Sequence, residues 1–336
     1  MKKLLSMLVL LGAAFNAGAW GGDGHRIVGA MADQLIENSN AQRQVAALLA
    51  PGENLETISM WLDCAKGDYC GPKTPDMQAF IDANPRHGEY HYTDIPFQHA
   101  HYRDGAVGSG ENDIVQTLKL AIAVLRGEGG RAHPHRFTPR QALMLVVHLT
   151  ADIHQPLHVG AAYVEKSSAG KDAAFAAPQD KRQIDGVHLF NTRGGNDLLI
   201  DDGAPDGGKT KRGPRSFHSY WDTKTVDYAM RADGADTPRQ FASIALAEKL
   251  EIVANTGDPV SWPHQWADDA LRASKLAHAG LAPGTMREHI TRKGERRDVW
   301  ALALPPDYAQ SSAALAKTQL TKSGQRLAAL LQAIWP

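Results

Sequence analysis

The sequence predicts a mainly α-helical protein: a single large helical domain with long loops. Apolar residues recur at helical spacing along much of the chain, as in Ile27, Met31 and Leu35, or Ile114, Leu118, Ile122 and Leu125. Helix-capping residues stand where such segments should begin, Thr138-Pro139 being the clearest case. No internal repeat and no linker divides the 336 residues, a length that suits one large or two ordinary domains. A formal net charge of −1 excludes a global basic field for gathering nucleic acid or acidic membrane. An anionic substrate must then be held by local charge, and bound metal is a ready source of it. The 15 histidines permit a metal site without requiring one.

The N-terminus reads as a processing signal. Lys2 and Lys3 form a positive head, residues 4–15 an apolar core too short to span a bilayer, and Ala17-Gly18-Ala19 an A-x-A cleavage site. Residues 1–19 are therefore expected to be a signal peptide and residues 20–336 the mature domain, which begins at Trp20. Export to the periplasm or the medium implies an oxidising compartment. Cys64 and Cys70 are the only cysteines and lie close together, so a disulfide is expected, two free thiols being the alternative. No second hydrophobic stretch is long enough to cross a membrane, and no stable membrane association is expected.

After Trp20 a first helix carries Ile27, Met31 and Leu35. Asn40 can cap a second helix running to Leu49, and a third covers 55–64. Residues 72–85 read as irregular with one apolar turn, 89–96 as a short strand or an extended loop, and the Gly-rich 104–112 as loop. Residues 113–126 form a clear amphipathic helix, and a Gly-, His- and Pro-rich loop leads on to Phe137. The central helix starts at Thr138-Pro139. Residues 159–193 are polar and poor in large apolar groups, which predicts a long surface excursion. Helices are expected over 216–230, 238–254 and 259–278, while 280–305 has no clear assignment. A last helix from Tyr308 to Ile334 carries Leu315, Leu320, Leu327, Leu330 and Leu331.

The chemistry centres on residues 145–158, LVVHLTADIHQPLH. His148 and Asp152 are four apart, so a helix presents both on one face, and His158 follows a Pro that should end the helix. Nitrogen and oxygen donors on one rigid face suit zinc; a buried polar pair in a helical core is the alternative. The spacing recurs in His218 and Asp222, within SFHSYWD. Trp20, His25, Asp63 and His91 also stand beside helical or capped segments. Taken singly, each has an ordinary explanation: a surface residue, a cap, packing against tyrosines, a solvated ion pair. Two separate H-x-x-x-D pairs in one exported chain argue together for metal.

In order and spacing these residues resemble the zinc-dependent single-strand-specific nucleases, the group of the mould nucleases and the plant bifunctional nucleases. The resemblance covers nearly all of the mature chain. It rests on W-x-x-x-x-H at Trp20 to His25, W-x-D-x-x-K at Trp61 to Lys66, H-Y-x-D at His91 to Asp94, H-L-x-x-D-x-H-Q-P-L-H at His148 to His158, G-G-N at Gly194 to Asn196 and H-x-x-W-D at His218 to Asp222. WADDA at 266–270 and GQRLAALL at 324–331 also resemble the family. It implies a phospholipase C/nuclease-like helical fold and three zinc ions. One zinc would be held by Asp63, His91, His148 and Asp152. A second would take the amino group and carbonyl oxygen of Trp20, with His25 and the other oxygen of Asp152. The third would take His158, His218 and Asp222.

The amine of Trp20 becomes a ligand only after the leader is removed, which would link activity to export. The resemblance further implies that a water shared by two zinc ions attacks the phosphodiester and the third zinc holds the departing 3′ oxygen, leaving 5′-phosphate products. Asp63 would orient the water and Lys66 stabilise phosphate charge, a solvated lysine paired with Asp63 being the alternative. Tyr92 would stack on a base while Asp94, Gly195 and Asn196 read its edge, which favours unpaired strands; core packing is the alternative for Tyr92. The expected substrates are RNA, single-stranded DNA and 3′-nucleotides, handled by a monomer. Lys209, Lys211, Arg212 and Arg215 are a solvated run or a guide for the strand. His154 reads as packing or as support behind the ligands, and His133, His135 and His264 have no assigned role.

Two rivals remain. A zinc-dependent phospholipase C has a similarly built site that also begins at a mature Trp, but its last ligand pair uses Glu where this chain has Asp222, and G-G-N is not expected there. An exported zinc-binding protein without turnover would need the ligands but neither Lys66 nor a base pocket.

Overall fold

The computed structural model describes residues 20–68, 70–128, 137–166, 173–200, 209–210, 213–290 and 294–336. Helices carry most of them. α1 (Gly22–Leu35), α2 (Asn40–Leu48), α3 (Leu55–Ile58), α4 (Trp61–Lys66) and α5 (Pro75–Ala83) come first, followed by α6 (Ile114–Leu125) and α7 (Pro139–His154). α8 (Phe217–Ser219) runs through a π-helical turn, Tyr220–Lys224, into α9 (Thr225–Ala232). α10 (Pro238–Ala247), α11 (Trp262–Ala277) and α12 (Tyr308–Ile334) complete the set. Among the described residues no helix is long and apolar enough to cross a membrane.

α7 is the axis of the fold. Thr138 and Gln141 cap it reciprocally, each side chain bonding the other's backbone N–H, and Pro139 pre-sets its first turn. Every residue from Gln141 to His154 is buried, as expected of a helix covered on all sides. The cover comes from α6, α12, α11 and α1. α12, at 27 residues, spans roughly 40 Å, enough to back α1, α7 and α9 together. At its crossing with α1, a Cβ on Gly324 would lie 2.5 Å from that of Met31. Only glycine lets the two backbones approach so closely.

The strands are short and lie at the margins of the helical body. β1 (Ile95–Pro96) pairs in parallel with β2 (Gly160–Ala161). β3 (Tyr163–Glu165) lies between β4 (Ala174–Ala176) and β5 (Leu189–Asn191), antiparallel to both. β6 (Leu198–Ile200) is followed by the small pair β7 (Lys209–Thr210) and β8 (Gly213–Pro214). β9 (Pro283–Ile290) and β10 (Arg296–Leu302) form an antiparallel hairpin, which β6 joins in parallel register, Leu198 opposite Trp300.

Several sequence expectations need correction. Residues 72–85 hold α5, capped by Thr74 on the Met77 N–H; its one buried residue, Phe80, left little periodicity to read. The segment 55–64 is broken at Ser59, so that α3 and α4 are separate. The second helix is capped by Ser39, whose oxygen accepts from the Gln42 N–H, and Asn40 is its first helical residue. Residues 89–96, expected as a short strand or an extended loop, hold the two-residue strand Ile95–Pro96 after turn and loop, in keeping with that expectation. The stretch 159–193 is not surface throughout, because Val159 and Ala161–Val164 are buried. The helix expected to reach 254 stops at Ala247, where Lys249 takes a positive φ of 53°. α11 is preceded by a 3₁₀ turn, Pro259–Ser261. The unassigned 280–305 contains the β9–β10 hairpin. Tyr308–Ile334 is helical as expected.

Candidate metal centre

α7 presents His148 and Asp152 to a space where other elements converge. α1 brings His25 and α4 brings Asp63. His91 follows the 3₁₀ turn His87–Glu89, and a second 3₁₀ turn, Pro156–His158, brings His158. All six side chains are at most 3% exposed. Asp152 is the hub. Its Oδ2 lies 3.0 Å from His91 Nδ1, 3.3 Å from His148 Nε2 and 4.0 Å from His158 Nδ1, and its Oδ1 lies 3.2 Å from His25 Nε2. Asp63 Oδ1 is 3.8 Å from His91 Nδ1 and 3.7 Å from His148 Nε2.

The second H-x-x-x-D pair is not on a regular α-helix. The π turn Tyr220–Lys224 widens the backbone between α8 and α9, yet His218 Nε2 and Asp222 Oδ2 still face each other at 3.6 Å. Such turns are frequent at functional sites. The His158 and His218 rings stack, centroids 4.9 Å apart. Ligand atoms thus fall within 4.8 Å of one another in three sets: His25–Asp63–His148, His91–His148–Asp152 and His158–His218–Asp222. The last coincides with the expected third set. The first two draw on the expected residues but divide them differently, His25 standing near Asp63 and His148 as well as Asp152.

Hydrogen bonds behind the cluster fix which ring nitrogens face inward. His148 Nδ1 lies 2.7 Å from the Ser59 carbonyl, His158 Nδ1 2.7 Å from that of His91, and His218 Nδ1 2.8 Å from that of Gly194. A nitrogen facing a carbonyl carries the proton, so in each neutral ring Nε2 keeps its lone pair. Among the described residues, His91 Nε2, His158 Nε2, both His25 nitrogens, Asp152 Oδ1 and Asp222 Oδ2 are buried without a hydrogen-bond partner. His25 Nε2 and Asp152 Oδ1 are close but not aligned as donor and acceptor. Leaving so many buried polar atoms unpaired is costly unless something else pairs them, and lone pairs converging from several sides suit cations.

Electrostatics agree. Burial opposes charge on His148, but Asp152 and Asp63 outweigh it and push its pKa up to about 9. Burial likewise opposes charge on Asp152, yet His148 and His158 hold it well below the usual carboxylate range. Burial, with Asp63 and Asp152 adding, drives Asp222 well above that range. Burial pushes His91 and His218 down to about 3, with help from the charges of Lys66 and His158 respectively. The cluster without a cation therefore favours a proton on His148 between two carboxylates.

Gly194 and Gly195 have positive φ values of 59° and 83°. A Cβ on Gly194 would meet the Leu157 carbonyl at 2.5 Å and His218 Nδ1 at 3.3 Å, so glycine is needed for its carbonyl to reach His218. Trp20 is fully buried, and the next residue, Gly21, donates its N–H to the Asp222 carbonyl at 2.6 Å. The start of the expected mature chain thus sits against the segment carrying the third set.

Lys66 is exposed at the end of α4, and Asp63 makes its charge contacts with His91 and His148 rather than with Lys66. Tyr92 is 39% exposed. Asp94 accepts a 2.8 Å hydrogen bond from Asn191 Nδ2 and is pushed up to about 6 by burial. Asn196 bonds locally, its Nδ2 donating to the Arg193 carbonyl. Cys64 and Cys70 are joined by a disulfide, which braces the helix that carries Asp63.

Some contributors were missed in the sequence. Gln155 is buried and donates from Nε2 to Asp222 Oδ1 at 2.8 Å; it lay inside the recognised HQPLH run but had no assigned role. Nothing local marked the Ser59 carbonyl or Asn191. His154 does not reach the cluster; its Nδ1 donates to the Thr150 carbonyl and its Nε2 accepts from Arg326. His264 lies 3.3 Å from Asp104. Arg215 bonds to Thr223 Oγ1, whereas Lys211, Arg212, His133, His135 and the side chain of Lys209 lie outside the described residues.

A helical body with a buried histidine–aspartate cluster at its axis defines a class, and comparison with known proteins says which. The S1/P1 nuclease family model matches residues 20–336, and the chain belongs to that family of nucleases. Among curated proteins it is similar to Endonuclease 4 of Arabidopsis thaliana, 21% identical over 346 residues that cover 98% of this chain and 93% of that protein.

Proposed function

We propose that the protein is an exported, zinc-dependent endonuclease. It cuts RNA and single-stranded DNA to 5′-phosphate products and removes phosphate from 3′-nucleotides. The observation that carries this reading is the convergence of unpartnered histidine nitrogens and carboxylate oxygens in one buried cluster. His25, Asp63, His91, His148 and Asp152 would hold two zinc ions, with the amino group and carbonyl of Trp20 joining once residues 1–19 leave. The family match beginning at residue 20 supports that processing point. His158, His218 and Asp222 would hold a third. Bound zinc supplies Lewis acidity toward the phosphate and lowers the pKa of water toward roughly 7.

The chain's own residues do the rest. Asp63 orients the attacking water, and Lys66, exposed beside the cluster, offers positive charge to the phosphate. Tyr92 offers an aromatic face that accepts any unstacked base, while Asp94, Gly195 and Asn196 meet its edge.

Zinc-loaded protein beginning at Trp20 is to be assayed on denatured DNA, RNA, a 3′-nucleotide and phosphatidylcholine, with and without chelator. The proposal predicts chelator-reversible turnover of the first three. Turnover of the lipid alone would make the protein a phospholipase, and no turnover would leave only a zinc-binding role.

A further inference from the structure

A groove of about 360 Å³ opens beside the base-reading residues, between the turn that carries Gly194 and the β9–β10 hairpin. Asn191 and Arg193 line one side; Glu288, Arg296, Arg297 and Trp300 line the other. The two sides are rigidly joined, since β6 pairs with β10 and the Trp300 N–H donates to the Asp197 carbonyl at 2.9 Å. Asn191 faces both ways, lining the groove while bonding Asp94. The groove is therefore a continuation of the base-reading region.

Its chemistry is mixed. The lining carboxylates Asp197, Glu288 and Asp298 match the three guanidiniums, so net charge does not draw anions in. The disposition of the charges matters more. Arg193 is committed to Asp197 through two short bonds of 2.7 and 2.5 Å. Arg296 is held more loosely: its side chain is 76% exposed and its ion-pair carboxylate, Glu288, stands 3.6 Å away, beyond hydrogen-bond reach. Arg297 spends one nitrogen on Glu295 and keeps its other donors. Phe190, half-buried and packed edge to face at 5.2 Å on the buried Trp300, gives the groove an apolar wall. A planar donor fork beside an apolar wall suits a phosphate joined to a flat ring.

We infer that this groove is a strand-binding subsite that takes the nucleotide next to the base-read one on the side away from the cut, its phosphate on Arg296 and Arg297 and its base against Phe190. The inference rests on the nuclease reading and adds a preference for polymeric over minimal substrates.

The test compares a single-stranded oligonucleotide with a dinucleotide that spans only the cut. It uses full-length mature protein and the variants Arg296→Ala, Arg297→Ala and, as a charge control far along the chain, Arg231→Ala. The groove variants are expected to lower kcat/KM on the oligonucleotide about fivefold to tenfold, with the dinucleotide and the control unchanged. The slope of log kcat/KM against log salt should shrink by roughly 0.7 for each phosphate that the variant no longer neutralises. An unaltered ratio of long to short substrate overturns the subsite, and so does an equal fall on both. Wild-type protein that cuts neither overturns the nuclease reading and the subsite with it. Wild-type protein that cuts both, with a flat ratio across variants, removes the subsite alone.

Discussion

Gln155 gives the sharpest test of the third metal set. It is fully buried, its Nε2 donates to Asp222 Oδ1 at 2.8 Å, and its Oε1 accepts from the Leu157 N–H at 2.5 Å. Burial drives Asp222 toward its neutral form, and the Gln155 hydrogen bond is the foremost influence holding it the other way. Gln155→Leu removes that bond at little change in volume. A hydrogen bond to a charged group contributes about 1.5–3 kcal/mol, so zinc affinity at His158–His218–Asp222 should fall about 10- to 100-fold. Gln155→Glu keeps an acceptor for Leu157 but turns a second carboxylate toward Asp222. In the zinc-free protein it should further disfavour ionised Asp222. The assay is zinc stoichiometry by native mass spectrometry across a series of buffered free-zinc concentrations, with thermal unfolding of the zinc-free protein as the control for damage to the fold. The expected result is a folded Gln155→Leu protein carrying one zinc fewer than wild type at intermediate free zinc. Three zinc ions bound with unaltered affinity would refute the reasoning.

Further outcomes follow from other parts of the molecule. His278 is buried, stacked on Phe97 at 4.2 Å, and pushed down to about 4 by burial. Its folded pKa lies below its unfolded one, so its contribution is complete above pH 6.5 and is lost as pH falls toward 4, about 3 kcal/mol in all. The stability gap between wild type and His278→Gln, from denaturant titrations at pH 7 and pH 4, should narrow by that amount. Gly194→Ala forces a left-handed alanine into the Leu157 carbonyl, costing at least about 1–2 kcal/mol and displacing His218; unfolding midpoints and zinc content should both drop. Replacing Cys64 and Cys70 by Ser opens a loop whose ends are six apart in sequence and should cost about 2 kcal/mol in chemical denaturation. Protein retaining one extra residue before Trp20 should bind less zinc than protein beginning there, as elemental analysis of the two forms would show.

The clustered histidines and aspartates were legible because their pattern is local in places. His148 and Asp152 announce themselves by helical spacing on a segment with a clear cap at Thr138, and His218 and Asp222 repeat the pattern. What joins them is not local. The 3.0 Å approach of His91 to Asp152 bridges 61 residues and is fixed by packing around α7. The break at Ser59 was hidden because apolar residues continue through it, yet that break frees the carbonyl that orients His148. The β9–β10 hairpin was illegible for a different reason. β9 is mostly exposed, and the run Arg287-Glu288-His289 carries no alternation of buried and exposed positions to read. How the candidate ligands would divide among ions also goes beyond spacing, since five side chains share one space.

The central claim is that the buried histidines and aspartates hold zinc in a chain processed to Trp20. Elemental analysis of the exported protein, with its N-terminal residue determined on the same sample, tests this most directly. Three zinc ions per chain beginning at Trp20 is the predicted result. A folded chain beginning at Trp20 that takes up no zinc, even when the metal is supplied, would contradict it.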